Sequence, residues 1–74
     1  MKRAEAERDI VELWKESPSR EGCKDVTSKD EFRLAAIDFY QWLEQKKPQL
    51  LAPFKGSPWQ GVKRVVFMSD GHSP

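Results

Sequence analysis

The sequence predicts an all-α fold, a small domain of three helices, and two observations support this prediction. Apolar residues recur every three or four positions over residues 2–16 and 28–46, as they do on one face of an amphipathic helix. A third segment, residues 58–68, follows a serine and begins with a proline, which is typical of a helix start. With 74 residues in total, the chain has the length of a single domain with a small core.

The first predicted helix covers residues 2–16. Its apolar stripe consists of Ala6, Ile10, Leu13 and Trp14, with Val11 at the edge. Pro18 disfavours a helical conformation of Ser17, so we expect the helix to end just before them. Residues 17–27 are rich in Pro, Gly and small polar side chains and show no helical period, which predicts a loop.

The second predicted helix, residues 28–46, has the clearest start in the chain. Ser28 and Glu31 have the spacing of a capping box, in which the hydroxyl accepts a hydrogen bond from a backbone amide of the first turn. Its apolar stripe consists of Phe32, Ala35, Ala36, Phe39, Trp42 and Leu43, with Tyr40 at the edge. Pro48 follows and cannot continue the helix. It suits the first position of a short helical turn, which we expect over residues 48–52.

The segment 58–68 allows two interpretations. Ser57 and Pro58 favour a helix start, whereas Gly61 and the run Val-Val-Phe raise the propensity for a strand. A strand needs a partner, and no other segment offers one, so helix is the preferred prediction and a strand remains the alternative. We therefore expect a single helical domain over residues 1–68 and a disordered tail over residues 69–74.

The charge of the chain is unevenly distributed. Residues 1–45 carry eight basic and eleven acidic side chains, a balance of −3, whereas residues 46–74 carry five basic and one acidic side chain, a balance of +4. Such an asymmetry is typical of an anion-binding surface. Attraction between the two halves of the fold, or simple solubilisation by surface lysines, also explains it and is the preferred interpretation.

Residues suited to catalysis or cofactor binding are scarce. Cys23 and His72 are the one thiol and the one imidazole of the sequence, and no third group is placed to orient the base. One Cys and one His do not complete a zinc site, and the four glycines form no phosphate-binding loop. The sequence therefore predicts a non-enzymatic protein that binds no metal and no cofactor.

The cellular compartment is predicted from three features that the sequence lacks. A single cysteine allows no internal disulfide, which is typical of a reducing environment. No apolar run approaches the roughly 20 residues that span a bilayer. The first residues become acidic where a signal peptide would become apolar. We expect a cytoplasmic protein without a membrane partner.

Two surfaces are candidates for binding, and the first is apolar. Leu34 and Ile37 fall outside the stripe of the second helix and are flanked by Arg33 and Gln41. A protein partner or a second copy of the chain that covered this pair would relieve the shortage of core in so small a domain. Alternatively, a neighbouring helix of the same chain packs there. Binding of a protein partner or self-association through this face is the first functional prediction.

The second candidate surface is basic and is the alternative prediction. If residues 58–68 are helical, one face presents Gln60, Lys63, Arg64 and Phe67, and Lys55, Lys46 and Lys47 extend it. Lys and Arg neutralise phosphates, and Gln and Arg can contact base edges, so Lys55, Gln60, Lys63 and Arg64 are candidate nucleic-acid ligands. The connection before this helix is longer than the turn of a helix-turn-helix motif, so the prediction depends on charge alone.

Two segments, FYQWLEQKKPQLLAPF and SPWQGVKRVV, carry a resemblance. An aromatic-rich helix, a Pro-Gln-Leu-Leu turn and a Trp-Gln-x-Val-Lys segment follow one another over residues 36–66. This order is similar to that of small uncharacterised proteins of bacterial mobile elements. The resemblance includes no catalytic motif and transfers no functional residue. It implies an accessory or regulatory binding protein in preference to a metabolic enzyme.

Overall fold

The computed structural model describes residues 1–23 and 28–71, which form four α-helices and a short 3-10 turn. The helices are α1 (Arg3–Lys15), α2 (Pro18–Cys23), α3 (Lys29–Lys46) and α4 (Pro58–Ser69), and the 3-10 turn is Pro48–Leu50. No strand occurs in these described ranges, which confirms the all-α prediction and the helical interpretation of residues 58–68. The alternative of a strand in that segment is wrong. None of the described helices is both long and apolar enough to cross a membrane.

The core is one cluster of apolar side chains with aromatic rings at its centre. Trp14 of α1 is fully buried and meets Phe32 and Phe39 of α3 edge to face, with ring centroids 5.6 and 5.3 Å apart. Phe32 in turn meets Phe67 of α4 edge to face at 4.8 Å. Edge-to-face geometry places the positive rim of one ring against the negative face of the next. Three helices therefore share a single aromatic contact network.

A polar contact joins the end of α4 to α1 and α2. The indole Nε1 of Trp14 donates a hydrogen bond of 2.8 Å to Asp70 Oδ2, and Arg20 Nε donates one of 3.1 Å to Asp70 Oδ1. A buried indole N–H needs such an acceptor. Ser69, which ends α4, and Asp70 therefore belong to the packed domain, although both were expected in the tail. Residues 72–74 lie outside the described part of the chain.

Helix α2 corrects the prediction of a loop over residues 17–27. The Ser17 hydroxyl accepts a hydrogen bond of 3.2 Å from the backbone N–H of Arg20 and donates one of 2.8 Å to the carbonyl of Trp14. Pro18 occupies the first helical position, where its missing N–H has no consequence. Ser17 thus bonds to the last turn of α1 and caps the start of α2. Residues 24–27 lie outside the described residues.

The predicted start and end of α3 are close to those observed. The Ser28 hydroxyl accepts a hydrogen bond of 3.4 Å from the N–H of Glu31, as the capping box predicts for the serine. At the other end, Lys47 caps the helix and its N–H donates to the carbonyl of Leu43 at 2.8 Å. The 3-10 turn follows directly, and Leu50 and Phe54 close that end of the core.

Trp42 does not belong to the buried stripe of α3, contrary to the prediction. Its side chain is 41% exposed and stacks on Phe39, with an interplanar angle of 15° and ring centroids 6.1 Å apart. Each helical residue turns by about 100°, which places Trp42 about 120° from the fully buried Ala36. The buried stripe is therefore narrower than predicted.

Phe39→Ala is expected to lower the free energy of unfolding by about 3–5 kcal/mol, because a fully packed aromatic side chain leaves a cavity when it is truncated. Urea denaturation followed by circular dichroism measures the loss. Trp42→Ala is the matched control, since Trp42 stacks on the same ring but is 41% exposed. A loss no greater than that of the control would show that Phe39 is not a core residue.

Candidate nucleic-acid interface

The four residues predicted to bind nucleic acid line one groove on the surface. The groove lies between the start of α1, the first half of α4 and the segment that precedes α4, and it encloses about 440 Å³ open to solvent. Its lining residues are Arg3, Phe54, Lys55, Ser57, Gln60, Gly61, Lys63 and Arg64. Four of them are cationic and none is acidic. We refer to this set as the basic groove.

A tight turn places Lys55 beside the start of α4. Gly56 has a φ of 83°, a left-handed conformation that glycine adopts without steric cost. Pro58 then occupies the first helical position, and the N–H of Gly61 donates to the carbonyl of Ser57 at 3.3 Å. The chain reverses over these few residues, so Lys55 lies in the same groove as the cations of α4.

Gln60, Lys63 and Arg64 lie on one side of α4 because they are spaced by three and four residues. Gln60 and Arg64 are exposed, whereas Lys63 is half-buried, with its Nζ 6.0 Å from the ring centroid of Phe67. In the described part of the chain, Lys63, Arg64 and Lys55 form no ion pair. Their positive charges are therefore not neutralised by a neighbouring carboxylate.

Arg3 completes the groove from the opposite wall, and sequence reasoning missed it. Its guanidinium carbon lies 5.2 Å from the ring centroid of Phe54, a cation–π contact. Its Nε lies 3.5 Å from Glu7 Oε2, but both side chains are more than a third exposed, so the pairing is weak. No sequence signal relates residue 3 to residues 55–64, because only the packing of α1 against α4 brings them together.

The position of Phe54 depends on Gly61. The ring of Phe54 lies directly over Gly61, in the space that a Cβ would occupy, and both residues are buried. In the sequence Gly61 only lowers the helix propensity of its segment. The structure shows the physical reason for a glycine at this position: the floor of the basic groove requires the absence of a side chain.

Phe67, Lys46 and Lys47 were expected beside these residues and do not belong to the groove. Phe67 is 1% exposed, because its ring packs edge to face against Phe32 in the core. Lys47 instead lines a separate depression that also contains Asp9. Lys46 is exposed at the last position of α3 and does not line the groove. The basic surface is therefore smaller and more local than predicted.

Of the two apolar residues predicted to form a binding surface on α3, only one is exposed. Leu34 is 62% exposed, whereas Ile37 is half-buried; Arg33 and Gln41, which were expected to flank them, are both exposed. A single exposed leucine is common on protein surfaces.

Tyr40 is the one described residue of this region with a shifted pKa. Its ring packs against Trp59 of α4, with ring centroids 5.4 Å apart. Burial, followed by the nearby charge of Glu44, raises the pKa of Tyr40 above its usual value of 10.0. The phenol is therefore neutral at physiological pH and adds no charge to the surface of α3.

An apolar depression around Trp42 was not predicted. It encloses about 370 Å³ where the end of α1 and the start of α2 meet α3, and its walls include Leu13, Pro18 and Phe39. Sequence reasoning missed it together with α2, which supplies part of its wall through Pro18. The signal that could have indicated α2 is Ser17 followed by Pro18, the same pair of residue types that is found at the start of α4.

Within residues 1–23 and 28–71, no group of three or more His, Cys, Asp or Glu side chains is arranged to hold a metal ion. Cys23 ends α2, and His72 lies outside the described residues. Comparisons of the chain with protein-family models, with curated proteins and with solved structures found no match.

Gly61→Ala is expected to destabilise the protein, because the new methyl group meets the ring of Phe54 and forces it to move. Overpacking of this kind typically costs about 1–3 kcal/mol, which thermal denaturation detects as a lower Tm. Gly22→Ala is the control, since a Cβ at position 22 meets no atom within 4 Å. Equal Tm values for both variants would contradict the assigned contact between Phe54 and Gly61.

Proposed function

We propose that this protein is a non-enzymatic binding module and that the basic groove binds nucleic acid through its phosphates. The proposal is supported by one observation: Lys55, Gln60, Lys63 and Arg64 line the same groove, and the lining contains no carboxylate. Lys and Arg that face solvent without a partner release counterions from nucleic acid on binding, which favours association.

The groove favours backbone recognition over base recognition. Phe54 is the one aromatic residue of its lining and is only 4% exposed, so no ring is available for a base to stack on. Gln60 is the single uncharged side chain with a carboxamide in the lining. Cationic contacts to phosphate position a nucleic acid without discriminating its sequence. We therefore expect little sequence preference.

Wider features of the chain agree with a binding role. The resemblance of residues 36–66 to small proteins of bacterial mobile elements favours an accessory or regulatory protein. The expected compartment is the cytoplasm, where a protein with one cysteine keeps it reduced and where nucleic acid is accessible.

Binding of fluorescently labelled DNA of mixed sequence is expected to weaken steeply with salt. If three phosphates are engaged, log K falls against log salt with a slope of about −2 to −3. Lys63→Glu combined with Arg64→Glu is expected to weaken binding at least about tenfold, measured by fluorescence anisotropy.

The control for this experiment is Lys46→Glu combined with Lys47→Glu, which changes the net charge equally outside the groove. Circular dichroism establishes that all variants are folded. If the double variant of α4 binds DNA as tightly as the control does, the basic groove is not the binding site. If the parent protein binds no DNA at low salt, the proposed function is wrong.

A second candidate function is self-association or binding of a protein partner through α3. The observation in its favour is the 62% exposure of Leu34, with Ile37 half-buried and Arg33 and Gln41 exposed. An apolar contact at this position is independent of the basic groove. Unlike DNA binding, it depends little on ionic strength, because salt screens charges and leaves apolar burial nearly unchanged.

Leu34→Asp is expected to shift the protein towards monomer in sedimentation equilibrium, since a carboxylate in an apolar interface is strongly unfavourable. Met68→Asp on α4 is the matched control, because Met68 is exposed to nearly the same extent, 60%. A parent protein that is already monomeric at high concentration, or two variants with equal association, would exclude self-association through Leu34.

A further inference from the structure

We infer that the basic groove binds the phosphomonoester at the end of a nucleic-acid strand in preference to the phosphodiesters along it. This inference depends on the proposed function and specifies its ligand. Positive charge is concentrated in the groove, where a volume of about 440 Å³ is lined by Arg3, Lys55, Lys63 and Arg64. That volume lies within the range of about 300–1,000 Å³ that is typical of small-ligand sites.

The basic surface does not continue beyond the groove. Beyond Arg64, the next depression between α1 and α4 is lined by Lys15 and by Glu7, whose Oε2 also lies 3.5 Å from Arg3 Nε. Lys47 lies in a depression with Asp9 and Glu12. A nucleic-acid strand that ran along the surface would therefore pass from the four cations towards carboxylates, which repel its phosphates. The charge distribution favours a ligand whose negative charge is concentrated in one group.

A terminal phosphate has that property. It carries a charge of about −1.5 to −2 at neutral pH and three acceptor oxygens, whereas a phosphodiester in a strand carries a single negative charge. Arg side chains bind such a group by paired, parallel hydrogen bonds. The groove presents two of them, Arg3 from α1 and Arg64 from α4.

Arg3 is also partly positioned before any ligand binds. Its guanidinium lies 5.2 Å from the centroid of the Phe54 ring, and that ring is fixed between buried neighbours above Gly61. A side chain that is already oriented loses less conformational freedom on binding. Arg3 therefore acts as a binding residue for the terminal phosphate, on the wall opposite Lys63 and Arg64.

The test compares oligonucleotides of one sequence and length that carry a 5′-phosphate, a 3′-phosphate or only hydroxyl ends. At moderate salt, the phosphorylated strands are expected to bind about tenfold more tightly than the hydroxyl strand, measured by competition in fluorescence anisotropy. Arg3→Gln is expected to remove most of this difference. Arg8→Gln, on an exposed position of α1 outside the groove, is expected to retain it.

Each other outcome contradicts a defined statement. If all three oligonucleotides bind with equal affinity, and binding still depends on salt and on Lys63 and Arg64, the groove has no preference for a terminal phosphate. The proposed function then stays intact. If Arg3→Gln retains the difference, or if Arg8→Gln loses it as well, the role of Arg3 is overturned. If a nucleoside monophosphate binds as tightly as the phosphorylated oligonucleotide, the ligand is a free phosphate ester. The inference that the groove recognises the end of a nucleic-acid strand is then wrong. No binding of any strand overturns both proposals.

Discussion

The burial of Trp14 is the constraint on which the rest of the structure depends. Its indole is fully buried between Phe32 and Phe39 of α3, and its N–H donates to Asp70 after the end of α4. A buried indole stabilises a small domain through its large apolar area, but only if the N–H has an acceptor. The acceptor is held in turn by Arg20 of α2. One side chain of α1 thus contacts α3 directly, reaches the end of α4 through Asp70, and is linked to α2 through the bond of Arg20 to the same carboxylate. In a small domain the loss of one such buried side chain is a large fraction of the total stability.

The basic groove is a consequence of the same packing. Its cations come from the start of α1 and from the region of α4, and neither helix forms the groove alone. Phe54 joins the two parts, because its ring packs over Gly61 of α4 and faces the guanidinium of Arg3. Stability and binding are therefore coupled at this point of the fold. A substitution that displaces Phe54 is expected to move Arg3 and to disturb the packing of α4. A substitution at the exposed Arg64 changes the surface charge without removing a buried side chain.

The two candidate surfaces are physically separate, so they do not exclude each other. The basic groove lies between α1 and α4, whereas Leu34 is exposed on α3 and is not among its lining residues. Two copies of the chain that met through α3 would present two grooves to one ligand. Because linked sites raise the effective concentration of the second contact, even a weak association of this kind would increase the affinity of a groove with only four cations. The depression around Trp42 adds a third, apolar feature.

The sequence alone determined the fold class and most helix boundaries, because these depend on local physics. Apolar period, the Ser28 cap and the prolines at 48 and 58 act within a few residues, and they predicted α1, α3, the 3-10 turn and α4. Helix α2 was missed although Ser17–Pro18 has the same start signal as Ser57–Pro58, since six residues are too few to show a period. The tertiary structure decided what depends on long-range packing. It placed Phe67 in the core, left Trp42 exposed and brought Arg3 to the groove. The surroundings of these side chains depend on which helix packs beside them, and a local sequence pattern does not contain that information.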